Sequence, residues 1–333
     1  MAITRFLDGP ECRFALNAVR RATLLVQQVQ HELVSPALTK EDRSPVTVAD
    51  FVAQAVVARL LAEQFHADPL VGEEDAGELR HPDANTTLQH VTAFVKREFP
   101  AATHSDVCDW IDRGGAQPAK RFWTLDPIDG TKGFLRKEQY AVALALVVDG
   151  HVRLGVLGCP NLRAGCEEML DGPGSLVVAA ATEGTWVMPI KTDVEPVRLR
   201  VSSRSDTASA RLLRSVESEH TDADKIGELA ANLGVNAPPV KMDSQAKYSV
   251  LAAGGGDVLL RLLSPSKPNY REKIWDQAAG SIVVEEAGGR ITDLDNKPLD
   301  FTQGRALAAN RGVLATNGLL HDAVLAGLRA VST

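Results

Sequence analysis

The run Trp123-Thr124-Leu125-Asp126-Pro127-Ile128-Asp129-Gly130-Thr131-Lys132-Gly133-Phe134 constrains this chain more than any other stretch. Phe122 to Leu125 reads as the end of a buried strand, which delivers two aspartates into a turn that Gly130 closes. Pro127 fixes one backbone angle and the Ile128 carbonyl is left free. Asp126, Asp129 and that carbonyl can therefore offer oxygens to a hard cation such as Mg²⁺. Beyond Gly130 a helix is expected, whose free N–H groups and partial positive charge favour an anion such as phosphate. A plain surface turn is the competing reading, because Asp, Pro and Gly are also common turn residues.

A length of 333 residues allows one large α/β unit or two joined lobes. The net charge of -7 argues against a nucleic-acid polymer as partner, since nonspecific attraction to a phosphate backbone needs a basic field. An acidic protein that handles phosphates needs bound cations and a few local basic groups. Cys12, Cys108, Cys159 and Cys166 show neither zinc-type spacing nor a disulfide framework, so free thiols in a reducing compartment are expected. No uninterrupted apolar run approaches the ~18 residues of a membrane span. Met1 to Pro10 carries Arg5 and Asp8 and lacks the apolar core of a secretory signal. The expectation is a cytoplasmic protein with no membrane partner, monomeric or weakly oligomeric.

Along the chain, Phe14, Ala18, Leu25, Val29 and Leu33 recur at helical spacing, and Pro36 ends that helix. Thr47 reads as the cap of a second helix running to about Phe65, with Asp50 at its third position in a variant capping box. Asp68 to Val71 is a short strand that ends at Gly72-Glu73-Glu74-Asp75, three carboxylates that repel one another unless solvated or bridged by cations. Residues 76–120 are polar, with one helix expected near Leu88 to Phe99, and read as an insertion or flap. Asp149-Gly150 and Glu183-Gly184 each separate two apolar runs, which predicts hairpins and an antiparallel sheet. A soft boundary falls near Lys191, giving an N-terminal lobe of 1–190 and a C-terminal lobe of 191–333 in which strands and helices alternate. Gly254-Gly255-Gly256 matches no nucleotide-binding fingerprint and reads as a linker. Asp276 lies at or near the start of a helix that stops at Gly288-Gly289.

Five acids thus sit at strand ends or helix starts: Asp50, Glu73, Asp126, Asp129 and Asp276. Gly72-Glu73-Glu74, Asp126-Pro127-Ile128-Asp129-Gly130-Thr131 and Trp275-Asp276-Gln277-Ala278-Ala279-Gly280 occur in the order found in the lithium-sensitive, magnesium-dependent phosphatase superfamily, which includes inositol monophosphatase and fructose-1,6-bisphosphatase. The chain resembles that superfamily from about residue 10 to 330. Within it, the likeness is greatest to the 3'(2'),5'-bisphosphate nucleotidases. It rests on Ser44 to Asp50, Gly130 to Arg136, Gly155 to Asn161, Met242 to Tyr248 and Tyr270 to Asp276.

The resemblance implies an α/β (α+β) fold, a layered αβαβα sandwich whose two lobes carry mixed and largely antiparallel sheets. It implies two or three Mg²⁺ ions held by Glu73, Asp126, the Ile128 carbonyl, Asp129 and Asp276, with Asp50 and Thr131 as the pair that activates water. Gly130 and Thr131 would hold phosphate oxygens, and His220, Ser244, Lys247 and Arg261 would contact a small-molecule nucleotide. The reaction implied is hydrolysis of the 3'-phosphate of adenosine 3',5'-bisphosphate to AMP, and in many members of 3'-phosphoadenosine 5'-phosphosulfate as well. Two alternatives stay open: an inositol phosphate or fructose-1,6-bisphosphate phosphatase, and a noncatalytic phosphometabolite-binding protein. For Lys247 and Arg261 the competing reading is ordinary surface charge, and for His220 a solvated loop residue.

Overall fold

Two long helices open the fold, α1 (Pro10–Leu33) and α2 (Ser44–Gln64). Pro10 and Glu11 stand in the first turn of α1, where a missing N–H costs nothing and a negative charge is favoured. The computed structural model describes residues 5–34, 44–192, 194–216, 223–263, 267 and 269–331. After α2 come β1 (Leu70–Gly72), α3 (Asn85–Val95), α4 (His104–Asp112), β2 (Arg121–Asp129), α5 (Thr131–Leu135), β3 (Ala141–Val148) and β4 (His151–Cys159). Next are β5 (Leu162–Arg163), β6 (Glu167–Glu168), β7 (Ser175–Ala180), β8 (Gly184–Met188) and β9 (Val197–Leu199). The chain continues through β10 (Leu212–Arg214), α6 (Ala223–Asn232), β11 (Val240–Lys241), α7 (Ala246–Ala252) and β12 (Val258–Arg261). It closes with α8 (Ala278–Glu286), β13 (Arg290–Thr292), β14 (Val313–Thr316) and α9 (His321–Ala330).

A seven-stranded sheet has the order β1-β2-β3-β4-β7-β8-β9, and a five-stranded sheet the order β11-β10-β12-β14-β13. In the first, only β1 and β2 run parallel. In the second, β10 is parallel to β11 and β12, while β12, β14 and β13 alternate in direction. Three buried clusters fix the layer order. Phe14, Val26, Val56 and Leu61 of the first two helices meet Trp123, Leu125, Leu144 and Val156 on one face of the seven-stranded sheet. The opposite face, with Ala143 and Ala145, meets Leu251 of α7 and Ile282 of α8, which also cover Leu213, Leu259 and Ala315 of the second sheet. The far side of that sheet packs Val258, Leu260 and Leu314 on Ile226, Leu229, Val324 and Leu328 of α6 and α9. Successive side chains of β3 alternate between two cores, as a strand covered on both faces requires. The result is the αβαβα sandwich that the resemblance implied, with mixed sheets.

The two hairpins form as read. Asp149 and Gly150 both take positive φ, the two-residue turn that matches strand twist. Other readings need correction. Helix α2 already begins at Ser44, so Thr47 and Asp50 lie inside its first two turns and the capping box does not form. Pro45 in the first turn is compatible with helix and does not block that earlier start. Residues 76–120 carry two helices rather than one, and Leu79, Val91, Phe94, Val107 and Ile111 are buried in the first core, so this segment is packed against α2. Its polarity belongs to its outer side. Strand β9 extends the seven-stranded sheet past Lys191. Helix α2 is long and apolar enough to cross a membrane by length and composition, yet 78% of that stretch is buried inside the fold.

Candidate active site

Strand β2 carries a register slip at the position that matters. Asp126 stands opposite Ala143 and Asp129 opposite Ala141, so three steps along β2 match two along β3. Side chains three apart on a regular strand point to opposite faces; the extra residue brings both carboxylates to one face. It is the face of Ala141 and Ala143, turned toward α7, α8 and the second sheet. Pro127, without an N–H, suits the break in the ladder.

Parallel pairing of β1 with β2 sets Gly72 opposite Leu125, so Glu73 leaves β1 alongside Asp126. Helix α2 supplies Asp50, and four residues later Gln54, on the same helical face. Gln54 Nε2 donates to the carbonyls of Glu74 at 2.6 Å and Ile111 at 2.7 Å, and its Oε1 accepts from the Glu74 amide at 3.1 Å. This side chain clamps the Glu73-Glu74 turn to the helix that carries Asp50. The approach needs glycine on both sides: a Cβ on Gly72 would lie 2.4 Å from Gln54 Oε1, and one on Gly114 2.2 Å from Gln54 Nε2.

Each of the five acids lies within electrostatic reach of others in the group. Burial, then the charges of Glu74 and Glu73, hold the Asp50 carboxyl well above its usual range. Burial, then Glu73, Asp129, Asp276 and Asp50, do the same for Asp126. Glu73 keeps an exposed side chain at the rim, but the surrounding protein and then Glu74 and Asp129 push it up to about 7. Asp276 is pushed up to about 8, by burial against the pull of Arg261 and with the repulsion of Asp129, Glu272 and Glu73. Asp129 is also raised by burial, although Lys247, Arg261 and the Gln245 amide draw it back.

On the opposite wall, the Gln245 amide donates to Asp129 Oδ2 at 2.6 Å. Ser244 holds a left-handed φ of 69°, and Gly130, with φ of 94°, approaches it so closely that a Cβ would lie 2.8 Å from Ser244 Cβ. A side chain at Gly130 is thus excluded by conformation and by space. Lys247 is buried, with Nζ 3.3 Å from both Ser215 Oγ and the Met242 carbonyl, and burial depresses it to about 8. Arg261 Nε lies 2.9 Å from Glu272 Oε2 but is not aligned for a hydrogen bond. Gln277 Nε2 donates to the same Glu272 oxygen at 2.8 Å, and Gln277 Oε1 accepts from the Tyr248 hydroxyl. Burial opposes the Arg261 charge, and Glu272, Asp276 and Asp129 outweigh it, so its pKa stands well above the usual value.

Asp276 occupies the turn before α8, two residues ahead of Ala278, so it is not the N-cap; Gln277 is. Thr131 is exposed at the first residue of α5, the helix expected after Gly130, which is a single turn of five residues. Ile128 is buried. His220 lies outside the described residues. Among the site residues that sequence reasoning missed, Gln54 had one signal, its spacing of four from Asp50; Glu272 and Gln277 lay inside quoted motifs without a stated role.

Among the described residues no three acids close tightly on one point. Their chemistry nonetheless fits hard cations. Asp126 Oδ1 is buried with no hydrogen-bond donor, and a buried carboxylate oxygen without a partner demands a proton or a cation. All-oxygen donors of this kind suit Mg²⁺ rather than a softer metal.

Comparison with known proteins agrees with this geometry. A "3'(2'),5'-bisphosphate nucleotidase" of Schizosaccharomyces pombe is 39% identical, over 97% of this chain and 96% of that protein. One of Oryza sativa is 43% identical, over 95% of this chain and 92% of that protein. Among solved structures, the Thermotoga maritima IMPase superposes with a TM-score of 0.64 at 19% identity, covering 97% of this chain and 98% of that one, and so shares the fold. The model of the inositol monophosphatase family matches residues 10–331. With its acidic cluster, layered sandwich and full-length relatives in agreement, the chain belongs to the inositol monophosphatase family.

Proposed function

We propose that this protein is a Mg²⁺-dependent 3'(2'),5'-bisphosphate nucleotidase that converts adenosine 3',5'-bisphosphate to AMP and phosphate, with 3'-phosphoadenosine 5'-phosphosulfate as a second substrate. The observation that carries the reading is the electrostatic pairing of the acids with two cations, the buried Lys247 and the half-buried Arg261. A monophosphatase needs only the acidic side. A second, remote phosphate needs charged donors of its own, which the Lys247 ammonium and the Arg261 guanidinium can supply. The full-length relatives named for this activity support the same choice.

In this reading Glu73, Asp126, Asp129, Asp276 and the Ile128 carbonyl hold two or three Mg²⁺ ions. When bound, the cations neutralise the scissile phosphate and make a water acidic enough to attack it. The Thr131 hydroxyl would orient the attacking water and relay its proton to Asp50, whose carboxylate is made more basic by burial and by the charges of Glu74 and Glu73. Gly130 and Thr131 present backbone N–H groups to the phosphate oxygens. Ser244, Lys247, Arg261 and His220 hold the nucleotide and its 5'-phosphate. The acids come from the part of the chain that ends with β9, except for Asp276, and the nucleotide contacts come from the part beyond it. Four free cysteines accord with a reducing, cytoplasmic setting for a monomer or weak oligomer.

Phosphate release should be measured with adenosine 3',5'-bisphosphate, its sulfated form, inositol 1-phosphate and fructose 1,6-bisphosphate, with Mg²⁺ and with chelator. The nucleotides should be turned over fastest, and only with Mg²⁺. Faster turnover of inositol 1-phosphate overturns the substrate assignment.

A further inference from the structure

Arg305 lies between β13 and β14, outside every motif the sequence displays, yet it touches three of the segments that build the site. Its Nη1 donates to the carbonyls of Gly114 and Ala116, each at 3.1 Å, and its Nη2 donates to the carbonyl of Gly72, the residue before Glu73. The Gly114 carbonyl also accepts from the Gly72 amide at 2.8 Å, so the guanidinium closes a junction already held by the backbone. Its other face lies over the Trp275 ring, 4.9 Å from the centroid, and Trp275 precedes Asp276. The backbone completes the link: the Arg305 carbonyl accepts from the Ile274 amide at 3.2 Å, and Lys273 bridges to Ala306.

A planar fork of five donors can serve three carbonyls and stack on an indole at once, which an ammonium group cannot do. Resting on the proposed metal-dependent reading, we infer that Arg305 is a positioning residue that holds the Glu73 turn at a fixed distance from the Asp276 turn, and so presets the cation site. It does not touch substrate. Removing such support from metal ligands typically costs about 10- to 100-fold in metal affinity.

The test is Mn²⁺ titration of the full-length protein, reading free Mn²⁺ by electron paramagnetic resonance, for wild type, Arg305→Lys, Arg305→Gln and the control Arg290→Ala. Arg290 pairs with Asp322 on the surface, away from these turns. The Kd for Mn²⁺ should rise about tenfold in Arg305→Lys and further in Arg305→Gln. It should be unchanged in Arg290→Ala. Hydrogen exchange at the Gly72 and Ile274 amides should quicken in Arg305→Lys, while its thermal midpoint in chelator stays near wild type. Wild-type affinity in both Arg305 variants overturns the inference. So does a loss that merely follows a fall in thermal midpoint. A wild-type protein that binds no Mn²⁺ sinks the cation reading itself, which is a distinct result.

Discussion

The backbone amide of Gln245 donates to Asp129 Oδ2 over 2.6 Å, while the Gln245 side chain donates to the Trp275 carbonyl at 3.0 Å and accepts from the Gly280 amide at 3.2 Å. One residue therefore ties the β2 carboxylate to the turn that presents Asp276, and it immediately precedes the helix that carries Lys247. Asp129, the Asp276 turn and the helix of Lys247 are thus mechanically linked, and changes in one should be felt in the others.

The raised carboxyls make stability without cations depend on pH. Glu73 at about 7 and Asp276 at about 8 stand above their ordinary values, so the folded state binds protons that the unfolded chain has already released. That contribution is complete below the ordinary carboxylate pKa and is lost as pH rises through 7 to 8. In chelator the thermal midpoint should fall between mildly acidic pH and pH above about 8, and Mg²⁺ should restore most where the loss is greatest. A midpoint that rises with pH in chelator contradicts the clustering.

Asp129→Asn removes one charge from that cluster. It should lower kcat by at least ~10²-fold while relieving repulsion, so its thermal midpoint in chelator should equal or exceed that of wild type. Steady-state assays and thermal melts check the two halves of this expectation separately.

Gln54→Leu leaves the carbonyls of Glu74 and Ile111 without their donor. It should destabilise the protein by about 2 to 3 kcal/mol in urea unfolding, since each buried group left unpaired costs on the order of 1 to 3 kcal/mol. The Mg²⁺ concentration for half-maximal activity should rise as well, because the Glu73 turn loses its clamp. Unchanged stability means that the turn is held elsewhere.

Much of this arrangement was legible in the sequence. The apolar lead-in to Asp126 and the hairpin at Asp149-Gly150 are local patterns with local causes, and both form. That Asp126 and Asp129 share a face was not legible, because it depends on a bulge defined by pairing with β3. Thr47 misled because its spacing to Asp50 fits a cap, while the helix had already begun at Ser44. The 76–120 segment looked loose because its buried residues are spread thinly among polar ones. Arg305 left no signal at all, since its partners are backbone carbonyls and one indole far away in the chain.

Lys247 at about 8 is charged below that pH and neutral above it. If it holds the 5'-phosphate, KM for adenosine 3',5'-bisphosphate should climb as pH is raised through about 8, and Lys247→Arg should flatten the climb, because a guanidinium keeps its proton. KM profiles of the two enzymes across that range make the comparison.

The most direct measurement compares wild type and Lys247→Ala on two substrates, adenosine 3',5'-bisphosphate and adenosine 3'-monophosphate. A lost charge-assisted contact of roughly 1.5 to 3 kcal/mol lowers kcat/KM by about ten- to a hundredfold. That loss should appear with the bisphosphate and be nearly absent with the monophosphate, which has nothing to place beside Lys247. Damage to the acidic cluster or to the fold depresses both substrates alike, so the difference isolates the second phosphate. Equal losses on the two substrates contradict the account.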